Sequence, residues 1–200
     1  HDKSGNGYDA FGSVNNQLPL YSSTGINSKP ALSFDGSNDF LEANTRLGLP
    51  ANPAITVMMV ARVNQHAQAD ERFFEIGGGS HHLAVSTGSE GWSWRHNGGN
   101  ERYGNTALNT DYLLAWERPV NGNYASSKFY LNGVEQAHTT GGSDTISPTD
   151  TTSKYIIGKG LNGNALNGRI GELIVLNNDS NTDREKVEGY LAHKWGLVGS

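Results

Sequence analysis

The sequence of 200 residues contains no cysteine, which excludes a disulfide framework, a thiolate zinc site and a cysteine nucleophile. Charged residues make up only 18% of the chain, and 20 acidic against 15 basic side chains give a formal charge of −5. Phosphate binding requires a basic field, so this balance argues against a nucleic-acid partner. No apolar run approaches membrane-spanning length, and we therefore expect no membrane insertion. The length suits a single domain over residues 1–200.

Glycine and asparagine are abundant instead, with 26 glycines and about twenty asparagines, as is typical of turn-rich β structure. Short apolar runs recur between these turns without helical periodicity, which favours antiparallel sheets. The most apolar run, Ile55 to Val63, predicts a central strand buried on both faces. Asn132-Gly133 predicts a type I′ hairpin, because both central residues of that turn need positive φ. Asp35 to Asp39 predicts a hairpin or a tight corner.

One segment near the end of the sequence predicts a helix over about 182–195. Thr182 and Glu185 form a capping box, and Gly196 lies where a left-handed C-terminal residue belongs. We expect the apolar stripe to plug an edge or end of the sandwich, with Glu185 and Glu188 in solvent; its members are Val187, Tyr190, Leu191 and Trp195. The residues thus predict an all-β, antiparallel two-sheet sandwich with one C-terminal α-helix.

Several segments, in order, resemble bacterial laminin-G-like, concanavalin-A-like lectin–glucanase jelly-roll domains of large extracellular adhesins. They are Asp2–Ala10, Ala31–Phe40, Phe129–Val134, Gly168–Leu173 and Arg184–Leu197. The resemblance implies a jelly roll that serves as a glycan binder, a peptide binder or a structural spacer. The family usually has a further strand before the first segment, which implies a fragment of a larger protein. Its Asp-Glu pair in the closing strand is Gly171-Glu172 here, so a metal role of that aspartate does not carry over.

Catalytic signatures are weak. Glycosidases of this fold need two carboxylates facing a cleft from one strand, and no such run exists. Glu117 is a lone acid beside Trp92, Trp94, Tyr112 and Trp116. Residues 158–163 spell G-x-G-x-x-G, but strand-like sequence follows, whereas a phosphate site needs a helix N-terminus. We therefore expect no enzyme.

Two oxygen-rich turns could hold calcium, which prefers six to eight hard oxygen ligands. Asp2, Ser4 and Asn6 reproduce the first half of a calcium loop, and Asp35 and Asp39 lie in a five-residue corner. The candidate metal ligands are Asp2, Asn6, Asp35 and Asp39. The alternative for each cluster is an Asx-turn, in which the carboxylate bonds its own backbone. Resemblance to calcium-containing jelly rolls implies at least one bound Ca²⁺.

Polar and aromatic residues cluster in three predicted loops: 77–82, 91–105 and 158–165. Aromatic faces stack on sugars or peptide side chains, and Asn and Arg add directional hydrogen bonds. We expect one of Trp92 and Trp94 to be a core residue and one to contact ligand. The candidate ligand-binding residues are Gly78, Gly79, Ser80, His81, Trp92, Trp94, His96, Asn97, Asn100, Arg102, Asn162 and Asn164.

Together these features predict a non-catalytic, calcium-dependent ligand-binding module of a large bacterial surface adhesin. Its partner would be a glycan or a peptide on a host or partner cell, and glycan and peptide remain equally open. We expect a monomeric module in a longer extracellular chain. The alternatives are a polysaccharide-degrading enzyme or its carbohydrate-binding accessory domain, and a passive spacer in a stalk.

Overall fold

The computed structural model describes most of the chain. The described residues are 1–12, 14–50, 52–66, 70–78, 81–88, 91–96, 99–103, 107–122, 126–141, 154–160 and 163–197. Within them, only the backbone is described for 77–78, 81–88, 94–96, 99–103 and 138–141. Gly79, Ser80, Asn97 and Asn162, all candidate ligand residues, lie outside the described residues.

Fourteen strands and one helix are found in the described residues. The first seven strands are β1 Leu20–Ile26, β2 Lys29–Asp35, β3 Leu41–Ala43, β4 Ile55–Val63, β5 Glu71–Gly78, β6 His81–Gly88 and β7 Gly91–His96. The others are β8 Gly99–Tyr103, β9 Asp111–Arg118, β10 Lys128–Leu131, β11 Val134–Glu135, β12 His138–Gly141, β13 Lys154–Ile157 and β14 Asn167–Leu176. Helix α1 spans Asn181–Trp195, and a short 3₁₀ turn spans Asn15–Gln17.

The strands form two antiparallel sheets of seven. Sheet one has the order β1-β2-β14-β4-β9-β10-β11, and sheet two has the order β12-β8-β7-β6-β5-β13-β3. Asn132 and Gly133 join β10 to β11 with φ of 51° and 79°, which confirms the type I′ turn. The two-sheet antiparallel sandwich predicted from the sequence is confirmed.

Strand β4 lies between β14 and β9 and is buried on both faces, as predicted. Alternate residues of a strand face opposite sides. Val57 and Met59 lie in the core between the sheets, whereas Met58 and Val60 lie in a second core under α1. The helix thus explains why an antiparallel strand has no polar face.

Helix α1 begins earlier than the sequence predicted. Its N-cap is Ser180, whose Oγ accepts a hydrogen bond from the Asp183 amide at 3.3 Å, so the Thr182 capping box was wrong. Ser180 satisfies one of the free amides of the first turn and fixes the start at Asn181. Gly196 ends the helix with φ 68°, and the predicted left-handed C-cap is confirmed.

The helix packs on the outer face of sheet one, not at an edge or end of the sandwich. Leu191 and Trp195 are buried against β4 and β9. Tyr190 is 49% exposed, so its place in the buried stripe was wrong. The residues that face the sheet are instead Arg184, Glu188, Leu191 and Trp195, all buried and spaced by four, three and four positions.

Gly171 explains how the helix reaches the sheet so closely. A Cβ atom at this position would overlap the indole ring of Trp195. The neighbouring Glu172 accepts a hydrogen bond from Trp195 Nε1 at 2.9 Å and forms an ion pair with Lys194 at 2.8 Å. Gly171-Glu172 therefore anchors α1. No helix in the described ranges combines the length and apolar character required to cross a membrane.

Candidate functional site

Two candidate loops meet at one end of sheet two. The β5–β6 hairpin closes at Gly78 and His81, which are paired, and the β7–β8 hairpin closes at His96 and Gly99. Because Leu83 of β6 pairs with His96 of β7, both turns lie at the same end of the sheet. We call this end, marked by the paired residues Gly78, His81, His96 and Gly99, the hairpin end.

Other candidate residues extend from the hairpin end along sheet two. Asn100 of β8 pairs with Arg95 of β7. Further from the hairpin end, Trp94 of β7 pairs with Glu101, and Arg102 of β8 pairs with Ser93. Strand β13 also begins here, because Lys154 pairs with Gly77. The register therefore places the backbone of six of the eight described candidate residues at or near one end: Gly78, His81, Trp94, His96, Asn100 and Arg102.

The third candidate loop lies at the opposite end. It follows β13, whose last residue Ile157 pairs with Phe74, and it leads into β14, where Asn167 pairs with Asp35. Leu166 in this loop accepts a hydrogen bond from the Gly36 amide at 2.9 Å. We call this end, with residues 35–39, 158–160 and 163–166, the corner end. Asn164 thus lies away from the hairpin end, and its role as a ligand residue stays a prediction.

The glycines of 158–163 close this loop instead of binding phosphate. A Cβ atom at Gly158, where φ is 86°, would overlap the ring of Phe34, and one at Gly160 would lie 2.9 Å from Arg72 Cγ. The Leu166 amide donates to Gly158 O at 2.9 Å. A strand follows the loop, as the sequence predicted, so no helix N-terminus is present to bind an anion.

A buried ion cluster fastens the loop to β5. Arg72, 4% exposed, lies 2.9 Å from Asp70 Oδ2 and 3.5 Å from Glu75 Oε2. Its backbone amide donates to Asn164 O at 3.1 Å, and Asn164 Nδ2 donates to Asp70 at 3.4 Å. Asn164 therefore holds the loop in place, which is a structural role.

Trp92 lies in the core and was wrongly placed among the ligand residues. It is 1% exposed and contacts Tyr112 edge-on at 5.4 Å and Trp116 at 6.2 Å between ring centroids. Phe73 and Phe129 complete the cluster. The inter-sheet core therefore contains Trp92, Tyr112 and Trp116, three of the four aromatic residues named beside Glu117 in the sequence analysis. The prediction that one of the two tryptophans is a core residue is confirmed.

The corner between β2 and β3 is an Asx-turn. Asp35 Oδ1 accepts the amides of Ser37 at 2.8 Å and Asn38 at 3.1 Å, and Asp39 Oδ2 accepts the Asp35 amide at 3.0 Å. Burial raises the pKa of Asp35, but these amides together outweigh it and leave the pKa below its ordinary value. Burial, followed by the charge of Asp35, raises the pKa of Asp39. The two carboxylates thus brace the corner.

The first turn of the chain is arranged in the same way. Asp2 accepts the Ser4 amide at 2.8 Å, the Ser4 hydroxyl at 2.7 Å and the Tyr8 amide at 3.1 Å. These bonds, led by that from the Ser4 amide, lower the pKa of Asp2. Asn6 donates to Ser4 Oγ at 2.9 Å. Asp2 and Asn6 therefore belong to a self-contained turn.

Neither turn offers a full calcium donor set. No group of three or more His, Asp or Glu side chains close enough to hold a metal ion occurs in the described part of the chain. Calcium takes six to eight oxygens, and each turn brings at most two carboxylates that already accept backbone amides. The described residues fit the Asx-turn better than the ion, and bound calcium stays a prediction.

Sequence reasoning missed a second ion cluster, which lies under α1. The guanidinium of Arg184 contacts Glu188 and lies 3.3 Å from Glu117 Oε1, and it stacks 3.7 Å from the ring centroid of Tyr130. All four residues are buried, so the expectation that Glu188 faces solvent was wrong. The i, i+4 spacing of Arg184 and Glu188 was the available signal.

Burial dominates the electrostatics of this cluster. It raises the pKa of both Glu117 and Glu188, and the nearby Arg184 charge only partly opposes the shift. Burial, with the charge of Glu117, also raises the pKa of Tyr130. The single positive charge of Arg184 therefore lies between two buried carboxyl groups whose pKa values are raised, and the cluster fixes the helix to the sheet.

Most of the described carboxylates have such structural partners. Arg62 holds Asp111 through two bonds of 2.6 and 2.8 Å across β4 and β9, and Lys154 holds Glu42 at 2.5 Å. In both pairs the carboxylate is engaged by a cation on a neighbouring strand, so the pairs link β4 to β9 and β3 to β13.

No protein-family model matches the sequence, and neither does any curated protein. Solved structures match it in fold. The binding domain of Paraclostridial Mosquitocidal Protein 1 has a TM-score of 0.68 and 12% identity over 96% of this chain and 49% of that one. Domain 4 of AbnA, an extracellular GH43 arabinanase from Geobacillus stearothermophilus in complex with arabinotriose, has a TM-score of 0.63 and 17% identity over 86% of this chain and 81% of that one.

Trypanosoma rangeli sialidase also matches, with a TM-score of 0.59 and 15% identity over 82% of this chain. The match spans only 28% of the sialidase chain. These structures share a two-sheet β architecture with this chain. The fold is an antiparallel two-sheet sandwich of the jelly-roll type. At such identities the likeness concerns the fold alone.

Proposed function

We propose that this jelly roll is a non-catalytic glycan-binding module whose ligand docks at the hairpin end. The observation that carries the proposal is the match to arabinanase domain 4, which covers most of both chains and was solved with a bound arabinotriose. The likeness is therefore one of whole domains, in contrast to the partial match with the sialidase. A related architecture that holds an oligosaccharide supports glycan over peptide.

The hairpin end supports recognition by its composition. The residues at or beside its two turns include His81, His96, Asn100 and Arg102, whose side chains can bond sugar hydroxyls. At the corner end, by contrast, Asp35, Asp39 and Asn164 are engaged in holding loops. A ligand at the hairpin end would meet polar groups without dismantling the ion cluster of Arg72.

Oligosaccharide titration tests the proposal, with arabinotriose as the first probe and a broad glycan panel as the second. Asn100→Ala should weaken binding about tenfold or more, which corresponds to about 1.4 kcal/mol. The matched control is Asn38→Ala at the corner end, which should leave affinity unchanged. Equal affinity in both variants and the parent chain would move the site away from the hairpin end.

The same titrations separate the rival functions. Release of shorter saccharides from any polymer would establish an enzyme and overturn the non-catalytic proposal. If no glycan of the panel binds at millimolar concentration, glycan binding is rejected and the passive spacer is favoured. Binding to a peptide panel alone would favour the peptide alternative.

We further propose that the module acts at the surface of a bacterial adhesin and that calcium rigidifies its loops. The support is the sequence resemblance, together with the proximity of Asp35 and Asp39 at the corner end, where Asp39 Oδ2 accepts the Asp35 amide at 3.0 Å. Addition of EDTA should lower the melting temperature and weaken ligand capture. Unchanged melting and unchanged capture would remove calcium from the account.

A further inference from the structure

The four sheet edges of the described residues differ greatly in length. Strands β11, β3 and β12 form three of the edges and contain two, three and four residues. Strand β1 forms the fourth and contains seven residues. Native proteins protect edges with short strands, charged side chains or proline, because a long bare edge pairs with other chains. Among the described edges β1 is the longest, and its pairing with β2 has a register irregularity between Ser22 and Ile26.

The sequence around β1 lacks the usual protecting charges. No Asp, Glu, Lys, Arg or His occurs between Asp9 and Lys29, although 18% of the chain is charged. Five of the nine exposed large apolar side chains of the described residues also fall in this stretch. They are Phe11, 60% exposed, Val14, 47%, Leu18, 41%, Leu20, 72%, and Tyr21, 65%. We call these five residues and β1 the apolar edge.

We propose that the apolar edge is a homodimer interface, in which β1 pairs antiparallel with β1 of a second copy. Antiparallel pairing about a two-fold axis is self-complementary, because both strands use the same backbone groups. The chain contributes no charged side chain between Asp9 and Lys29, so little like-charge repulsion between two copies arises from this stretch; Arg169 reaches β1 from β14 and donates to Gly25 O at 2.5 Å.

The exposed area is sufficient for a modest interface. With about 200 Å² for each aromatic side chain and somewhat less for leucine and valine, the five exposed fractions correspond to roughly 500 Å² per copy. Two copies then bury about 1,000 Å² of side-chain surface, near the lower limit of specific interfaces. The strand backbone adds to this area, and we expect dissociation constants of about 10–100 μM.

Sedimentation velocity of the 200-residue chain over roughly 5–500 μM tests the proposal. The parent should pass from monomer to dimer, and Tyr21→Lys should raise the dissociation constant at least tenfold by placing like charges at the pairing strand. The control, Val134→Lys, adds the same charge to the opposite edge strand of sheet one, where Val134 is 62% exposed. It should leave the dissociation constant unchanged.

Hydrogen exchange gives a second readout that needs no variant. Amides of Leu20–Ile26 should gain protection as the concentration rises through the dissociation constant, whereas those of β11 should not. A parent chain that stays monomeric at the highest concentration overturns the proposal, and so does a dimer that both lysine variants weaken equally. Glycan titration at concentrations well below dimerisation tests the hairpin end separately.

Discussion

Removing the guanidinium of Arg184 should strongly destabilise the fold, although the residue lies far along the chain from the central strands. We consider the substitution Arg184→Met, which retains an unbranched apolar stem. It leaves Glu117 and Glu188 without their shared cation, and these side chains are only 7% and 8% exposed. The Met side chain also loses the stacking of the charge on Tyr130.

The expected loss follows from the cost of an uncompensated buried charge. Breaking a buried ion pair by removing one partner costs about 3–5 kcal/mol. Protonation of one carboxylate limits the loss, so we expect the lower half of this range at neutral pH. For a domain of this size each kcal/mol changes the melting temperature by about 2–4 °C, which gives a decrease of roughly 10 °C.

Thermal unfolding followed by circular dichroism measures this decrease. Lys186→Met is the matched control on the same helix, because Lys186 is 72% exposed and lies 3.9 Å from Asp183. Such a surface pair contributes at most about 1 kcal/mol. Adding Glu117→Gln and Glu188→Gln to Arg184→Met should recover part of the stability, since neutral residues need no cation. If Arg184→Met melts within a degree or two of the Lys186→Met control, the cluster does not hold the helix.

Three further predictions follow from the same contacts. Glu188→Gln should gain stability relative to the parent as pH rises from about 4.5 towards 7. The reason is that burial raises the pKa of Glu188 in the folded state, and the stability that its protonated form contributes is lost as pH rises through that pKa. A difference in unfolding free energy between variant and parent that does not change with pH would contradict this prediction. Gly171→Ala should lower the free energy of unfolding by about 1–3 kcal/mol, because the new Cβ overlaps Trp195. Gly189→Ala should raise it by about 0.5–1 kcal/mol, because the space around this helix position is open. Urea titration compares the two variants, and equal effects would refute the close approach of the helix to the sheet. Trp92→Ala should cost about 3–5 kcal/mol in the same titration, and the milder Trp92→Phe should leave glycan affinity unchanged, so a weakened affinity would return this residue to the ligand site.

The architecture was predictable because local and global signals agree. The run Ile55–Val63 matches β4 at both ends, and Asn132-Gly133 fixes its hairpin through positive φ. The helix was also predictable in place, but its orientation was not. Two of the four side chains that face the sheet are Arg184 and Glu188, and a hydrophobic stripe cannot reveal a buried face that is half charged.

The candidate site was less predictable because loops that resemble each other in composition lie at opposite ends. Asn164 and Asn100 occur in similar glycine- and asparagine-rich sequence, yet only strand register separates the corner end from the hairpin end. Register depends on long-range pairing, which one sequence does not specify. The Asx-turns of Asp2 and Asp35 illustrate the same limit, because a carboxylate that braces its own backbone has the spacing of a metal ligand.

The position of α1 over β4 and β9 has a consequence for biosynthesis. Met58, Val60 and Leu113 are translated long before Leu191 and Trp195, which cover them. Strand β14, which separates β2 from β4, also comes late in the sequence. On the ribosome, sheet one therefore lacks β14 between β2 and β4, and its outer apolar face stays exposed, until β14 and α1 have been translated. Such dependence on distant partners slows folding, and chaperone demand should peak just before residues 167–195, which contain β14 and α1, emerge.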